Sequence, residues 1–142
     1  AMRLEKSYRL VGTELSIEYA ALESGLHRFV HLNKGDFKGR QKLSEWQEAG
    51  FANAMITLEV HDTTDADAIG GNPIMLPDGK VIGRATSGGY GFRLDKSLAL
   101  AMVRPDLATV GTELMIDVLD QRLRATVLEE SPYDLNNRRL RA

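Results

Sequence analysis

Residues 54–60 read Ala54-Met55-Ile56-Thr57-Leu58-Glu59-Val60, and the fold turns on that reading. Ala54, Ile56, Leu58 and Val60 fall on one side of an extended chain, while Asn53, Met55, Thr57 and Glu59 fall on the other, which is the period of a half-buried β-strand over Asn53–Val60. Downstream, Ile74–Leu76 and Lys80–Thr86 flank Pro77-Asp78-Gly79, where proline presets one turn dihedral and glycine accepts a positive one, so a hairpin is expected. Ser97–Val103 is an almost unbroken apolar run between turn signals, as in a strand covered on both faces; a short buried helix is the alternative. Leu114, Ile116 and Val118, then Leu123, Ala125 and Val127, alternate around Asp120-Gln121 with Arg122 and Arg124 facing the other way, which predicts a second hairpin. Five or six short strands at this spacing favour a small antiparallel β-barrel or jelly roll, because closing a sheet removes its reactive edges.

Upstream the texture is mixed. A helix is expected from about Phe37 to Ala49, with Asp36 capping its first turn and Gly50 ending it in a left-handed conformation. Gly39, Leu43, Trp46 and Gly50 share one side of that helix and are expected to lie against the strands. The domain boundary is placed near Gly50, which divides the chain into residues 1–50 and 51–142. The polar stretch Asp62–Gly71 reads as a mobile loop with solvated aspartates.

The chain has 142 residues, of which 43% are hydrophobic and 27% charged, and its formal net charge is -2. That suits one globular domain with an appendage and excludes a disordered chain. A near balance of charges, with one Trp, four Tyr and four Phe scattered along the chain, argues against a nucleic-acid interface or an anionic membrane surface. No run reaches the ~20 apolar residues of a membrane span. Absence of cysteine removes disulfides, thiolate metal sites and thiol nucleophiles, and fits a reducing compartment.

Chemical motifs are weak when taken singly. His27 and His31, with Glu23 one turn earlier, have the spacing of a helical metal face, but their apolar neighbours favour an ordinary structural role and no metal site is assigned. His61 has no partner in sequence. Asp62, Asp65 and Asp67 lack the glycine and distal glutamate of a calcium loop. Gly88-Gly89-Tyr90-Gly91 lacks the lysine and hydroxyl residue of a phosphate cradle and reads as a tight loop where two backbones approach. Ser87, Ser97 and Ser131 have no nucleophile context, so no catalytic residue is assigned.

Several stretches in order carry a family likeness: Met2-Arg3-Leu4-Glu5-Lys6-Ser7-Tyr8-Arg9 with Gly12, Glu14 and Leu15; Leu22-Glu23-Ser24-Gly25-Leu26; Lys34-Gly35-Asp36-Phe37-Lys38-Gly39-Arg40; Gly83-Arg84-Ala85-Thr86-Ser87-Gly88-Gly89-Tyr90-Gly91; Lys96-Ser97-Leu98-Ala99; Val103-Arg104-Pro105; Gly111-Thr112; and Ser131-Pro132-Tyr133-Asp134. Together they resemble the C-terminal part of the aminomethyltransferase family, which comprises the glycine cleavage T proteins and the folate domains of dimethylglycine and sarcosine dehydrogenases. The first and the glycine-rich stretches are more similar to the dehydrogenase-associated members.

The resemblance implies a mainly β fold, with a barrel or jelly roll over 51–142 preceded by an α+β segment, residues 1–50, left from a larger folate-binding domain and its connecting helix. It implies tetrahydrofolate as cofactor of the complete protein, with no tight binding to this chain alone. The family's catalytic aspartate lies upstream of Met2. Partners implied are the missing N-terminal folate-binding domain, a flavin-binding oxidoreductase domain in the dehydrogenase form, and a homodimer. The compartment would be the cytoplasm, or the mitochondrial matrix in a eukaryote. Arg3 matches a family arginine at the folate site, and Arg138 stands where the family carries a tyrosine near the substrate; these are the candidate cofactor-binding residues. The other reading makes Arg3 an exposed terminal arginine and Tyr133, Arg139 and Arg141 a solvated tail. Met2 is then expected to be an internal residue, through a cut piece or an incomplete reading frame, which would leave Leu4, Leu10 and Leu15 exposed and the first segment poorly anchored. The competing function is a non-catalytic β-barrel interaction module that pairs with another subunit.

Overall fold

Alternation of apolar and polar residues resolves, in the computed structural model, into six strands: β1 (Ala54–Val60), β2 (Pro73–Met75), β3 (Val81–Gly91), β4 (Lys96–Val103), β5 (Glu113–Val118) and β6 (Gln121–Leu128). The structure describes residues 1–63 and 65–141; Thr64, inside the expected Asp62–Gly71 loop, and Ala142, at the end of the expected barrel region, lie outside them. The strands pair antiparallel in the order β1-β4-β3-β2-β5-β6, and β1 closes on β6 through Thr57 opposite Leu128 to Val60 opposite Ala125. A closed barrel with no free edge follows.

Inside it, Ile56, Leu58, Val60, Ile74, Ala99, Ala101, Val103, Leu114, Ile116, Ala125 and Val127 form one apolar cluster. The unbroken apolar run is strand β4, covered on both faces: Ala99, Ala101 and Val103 point into the barrel, whereas Leu98 and Leu100 meet Leu4 outside it. The first hairpin turns on Leu76–Gly79, with the Gly79 amide donating to Leu76 O and Gly79 at φ 89°. The second turns at Leu119-Asp120, one residue earlier than expected, with both residues at positive φ as a two-residue hairpin loop requires.

Four expectations are corrected. Gly88–Gly91 is the end of β3 rather than a loop, although the close backbone approach is real: a Cβ on Gly88 would stand 2.2 Å from Ala68 O. The helix, α2 (Arg40–Ala49), begins three residues late, because Gly39 sits at φ 91° as its N-cap and has no side chain to cap with; Asp36 lies outside it. Gly50 does end it at φ 86°, but with ψ 145°, outside the left-handed helical region. None of its residues is buried and Trp46 stays 41% exposed, so the Gly39-Leu43-Trp46-Gly50 face is not covered by the strands; two large apolar side chains in ten residues give little area to bury.

Nor is the first segment loose. The short helix α1 (Met2–Glu5) buries Leu4 against Leu98 and Leu100, and Glu5 Oε1 accepts from the backbone amides of Arg93 (2.6 Å) and Leu94 (3.2 Å) in the β3–β4 turn. Of the three leucines expected to be exposed, Leu4 is buried, Leu15 half-buried and Leu10 exposed. Across the expected boundary, Glu23 O accepts from the Met55 amide and Glu23 Oε1 from the Asn53 amide, so the first strand starts on the upstream segment.

Candidate functional site at the seam between the first segment and the barrel

Polar residues of the first segment lack a helical or strand period, and their partners lie across the chain. Glu14 is the centre of one such set. Its side chain is 0% exposed, and its carboxylate accepts from the Leu10 amide (2.8 Å), Thr13 Oγ1 (2.6 Å), Ser87 Oγ (2.9 Å) and Thr86 Oγ1. Thr86 stands where the register slips between Ala85 and Ser87, a bulge that leaves it without a paired residue on β4. Burial pushes the Glu14 carboxyl up, but the bonds from Thr13, Thr86, Leu10 and Ser87 together outweigh burial and hold it below its ordinary value of 4.5.

Arg3 stands beside this carboxylate. Its Nη1 donates to Tyr8 O at 3.0 Å and lies 3.7 Å from Glu14 Oε2, with 29% of the side chain exposed. The guanidinium is therefore fixed at one corner, and its Nε and Nη2 make no hydrogen bond among the described residues. Across the same seam, Arg84 on β3 pairs with Glu18 and donates to Tyr19 Oη at 3.0 Å.

Arg138 is exposed at the other end of the chain. Its backbone amide donates to Asp134 Oδ1 at 2.8 Å, and no contact joins its side chain to Arg3 among the described residues. The segment that carries it is not a free tail. Lys6 Nζ donates to Tyr133 O (3.2 Å), Asp134 O (2.9 Å) and Asn137 Oδ1 (2.7 Å), the Tyr133 amide donates to Glu5 O, and Ser131 bonds Ser7 Oγ and Lys6 O. Ser7 Oγ in turn meets Thr57 Oγ1 of β1 at 2.6 Å. Residues 131–141 form turns, with Ser131, Asp134 and Asn137 at positive φ. The chain's two ends are thus clasped to each other on the barrel wall, which corrects the solvated-tail reading for Tyr133; Arg138, Arg139 and Arg141 remain exposed.

The other candidates separate. His27 opens a three-residue 3-10 turn, so His27 and His31 do not share a helix face. His61 Nε2 lies 2.7 Å from Thr126 Oγ1 and its ring 3.8 Å from Glu59, partners that sequence order hides. Asp67 accepts from Ser97 Oγ at 2.7 Å and is half-buried, so of the three aspartates only Asp62 and Asp65 are exposed. Glu5, Lys6, Glu14 and Glu23 were legible as motif letters but not as functional groups. The available signal was a density of charge in a segment with no amphipathic period.

No helix of the described residues is long and apolar enough to cross a membrane. Residues 53–134 match the family model of the glycine cleavage T-protein C-terminal barrel domain. The chain is 39% identical to mitochondrial dimethylglycine dehydrogenase of Mus musculus over 92% of its own length and 15% of that protein's. It is 36% identical to an aminomethyltransferase of Moorella thermoacetica over 90% of its length and 34% of that protein's. It spans well under half the length of these relatives. Its fold matches the glycine cleavage system aminomethyltransferase T of Bartonella henselae with a TM-score of 0.85 at 22% identity, covering 94% of this chain and 37% of that one. An antiparallel six-stranded barrel, a first segment sealed to it through Leu4, Glu5 and Glu14, and a sequence match over β1 to β6 together place this chain in the family of glycine cleavage T-protein C-terminal barrel domains.

Proposed function

We propose that this chain is the C-terminal part of a tetrahydrofolate-dependent aminomethyltransferase-like protein, which moves a one-carbon unit to folate from a methylated or aminomethylated amine such as glycine, dimethylglycine or sarcosine. The observation that carries this reading is identity of 36–39% across at least 90% of the chain to proteins named aminomethyltransferase and dimethylglycine dehydrogenase. Residues 1–50 then end the folate-binding domain and connect it to the barrel of residues 51–142, which closes over the cavity. The chain is inactive alone, since the family's catalytic aspartate is not among its residues.

The residues present fit such a cofactor at one point. Arg3 is anchored through Nη1 and keeps further N–H donors for a carboxylate or polar ring atoms, a task suited to a planar guanidinium. Arg138 would bring a second cation from the closing segment. Tetrahydrofolate, when bound, supplies the ring nitrogens that accept the one-carbon unit. Arg3 would hold and orient it from this side, with the buried Glu14 behind it kept anionic by its four donors. In the dehydrogenase-associated form a flavin domain elsewhere in the protein oxidises the amine, and flavin does not bind this chain. Met2, Val11 and Ile17, all exposed on the first segment, offer the face for the folate-binding domain. The compartment is reducing, cytoplasm or mitochondrial matrix.

The test is the mass of the natural gene product in its source cells, detected with an antibody raised against this chain. A product far heavier than 15.7 kDa is expected. A product of that mass would overturn the catalytic reading and leave a barrel that pairs with a separate subunit or a second copy.

A further inference from the structure

One cleft lies away from Arg3 and Arg138, neither of which lines it. It has a volume of about 520 Å³, within the range of small-molecule sites, and is walled by Tyr8, Arg9, Gly25, Arg28, Phe29 and Glu130 among others. Arg9 is fixed there by the backbone. Nε donates to Ser24 O at 2.7 Å, Nη1 to Ser7 O at 3.2 Å and Nη2 to Gly25 O at 3.4 Å, and the side chain is 10% exposed. Gly25 makes room for it: at φ 71°, a Cβ on this residue would stand 2.3 Å from Arg9 Nη2.

A guanidinium held by three carbonyls does not depend on an anion for its orientation, yet it has one. Glu130 Oε1 lies 2.6 Å from Nη1, on a side chain that is 57% exposed and free to swing away. Beside this pair, the Arg28 guanidinium stacks 4.6 Å from the Phe29 ring centre, and Phe29 and Tyr8 are both exposed. The cleft therefore has two arginines against one carboxylate, next to open aromatic surface.

We infer that this cleft binds a small planar carboxylate, an aromatic or heteroaromatic acid, whose carboxylate replaces Glu130 on Arg9 while its ring lies against Phe29, Tyr8 and Arg28. Two charge-assisted N–H bonds to a fixed fork give geometry as well as strength, and the stacked guanidinium prefers a flat ring to a saturated one. Glu130 acts as an internal competitor that covers Arg9 in the empty site. The inference stands apart from the folate reading, because it uses none of the residues assigned to folate.

The experiment is an amide-resolved NMR titration of the complete chain at constant ionic strength with benzoate, benzamide and cyclohexanecarboxylate. Benzoate should give saturable shifts at Tyr8, Gly25 and Phe29, bind roughly tenfold more tightly than uncharged benzamide, and bind several-fold more tightly than cyclohexanecarboxylate. Glu130→Gln, at an exposed position that leaves the fold intact, should tighten benzoate several-fold and leave benzamide unchanged. The inference is overturned if benzoate gives no saturable shift at these residues, if benzamide or cyclohexanecarboxylate binds equally well, or if Glu130→Gln leaves benzoate unchanged or weaker.

Discussion

Glu14→Ala should be the most damaging polar substitution in the first segment, and its cost can be worked from the bonds it leaves unmade. Four donors meet this carboxylate. Two of them have another acceptor within reach, since Thr13 Oγ1 lies 3.1 Å from Leu10 O and Thr86 Oγ1 lies 3.1 Å from Leu100 O. The Leu10 amide and the Ser87 hydroxyl have none among the described residues, and because both bonds are only part-buried each costs about 1 kcal/mol, the low end for a donor left without a partner. The expected loss is therefore about 2 kcal/mol of unfolding free energy, read by urea denaturation at pH 7. Glu14→Gln keeps one oxygen and the shape of the side chain, and should lose about 1–2 kcal/mol. Charge separates the two substitutions from a simple loss of volume. The folded carboxyl lies below its ordinary 4.5, so it favours the folded state above that value, and this stability disappears as pH falls through the lowered folded value. Repeating the denaturation from pH 6 down to pH 3 should show a decline in the natural protein that is shallower in Glu14→Gln. The reasoning is refuted if Glu14→Ala loses under ~1 kcal/mol, or if Glu14→Gln keeps the full acid slope.

Gly88→Ala should cost about 3 kcal/mol, because its Cβ would stand 2.2, 2.7 and 2.9 Å from Ala68 atoms and backbone must move to admit it. Gly111→Ala, with nothing within 4 Å but a φ of 85°, should cost only about 1 kcal/mol, and equal losses in urea would sink the steric argument. Lys6→Met removes three bonds to residues 133–137 and should speed amide exchange there by about tenfold while β4 stays protected. Unchanged exchange at those amides would show that Lys6 is not the clasp.

What the amino-acid order determines by itself is whatever depends on local period and turn chemistry. Ala54–Val60, the Pro77-Asp78-Gly79 hairpin, the two-faced apolar run of β4 and the β5–β6 pair were all legible, because side-chain alternation is a property of the extended chain itself. Barrel closure was legible as a class of solution to unpaired edges. The pairing of β1 with both β4 and β6 was not, since no local feature names a partner that far along the chain. The glycine stretch 88–91 shows the limit most clearly. Freedom from a Cβ serves a loop and a crowded strand equally well, and only Ala68, brought against Gly88 by the fold, decides for the strand. The helix start failed for a similar reason: Asp36 is a good cap in isolation, but Gly39 takes a positive φ and starts the helix without it.

The same division runs through the seam. Arg3 and Arg138 could be named from resemblance as single residues, but their surroundings could not: one is tethered beside a buried carboxylate and the other is exposed on a clasped turn. Glu14, Glu5 and Lys6 bond to groups 73, 88 and 131 residues away, distances at which sequence carries charge and not geometry. Sequence therefore determined that this chain makes a small antiparallel β-barrel or jelly roll after a mixed, partly helical leader. Tertiary structure alone decided that the leader and the last residues close on the same barrel wall, because a hydrogen bond between distant residues exists only once the fold has brought donor and acceptor together.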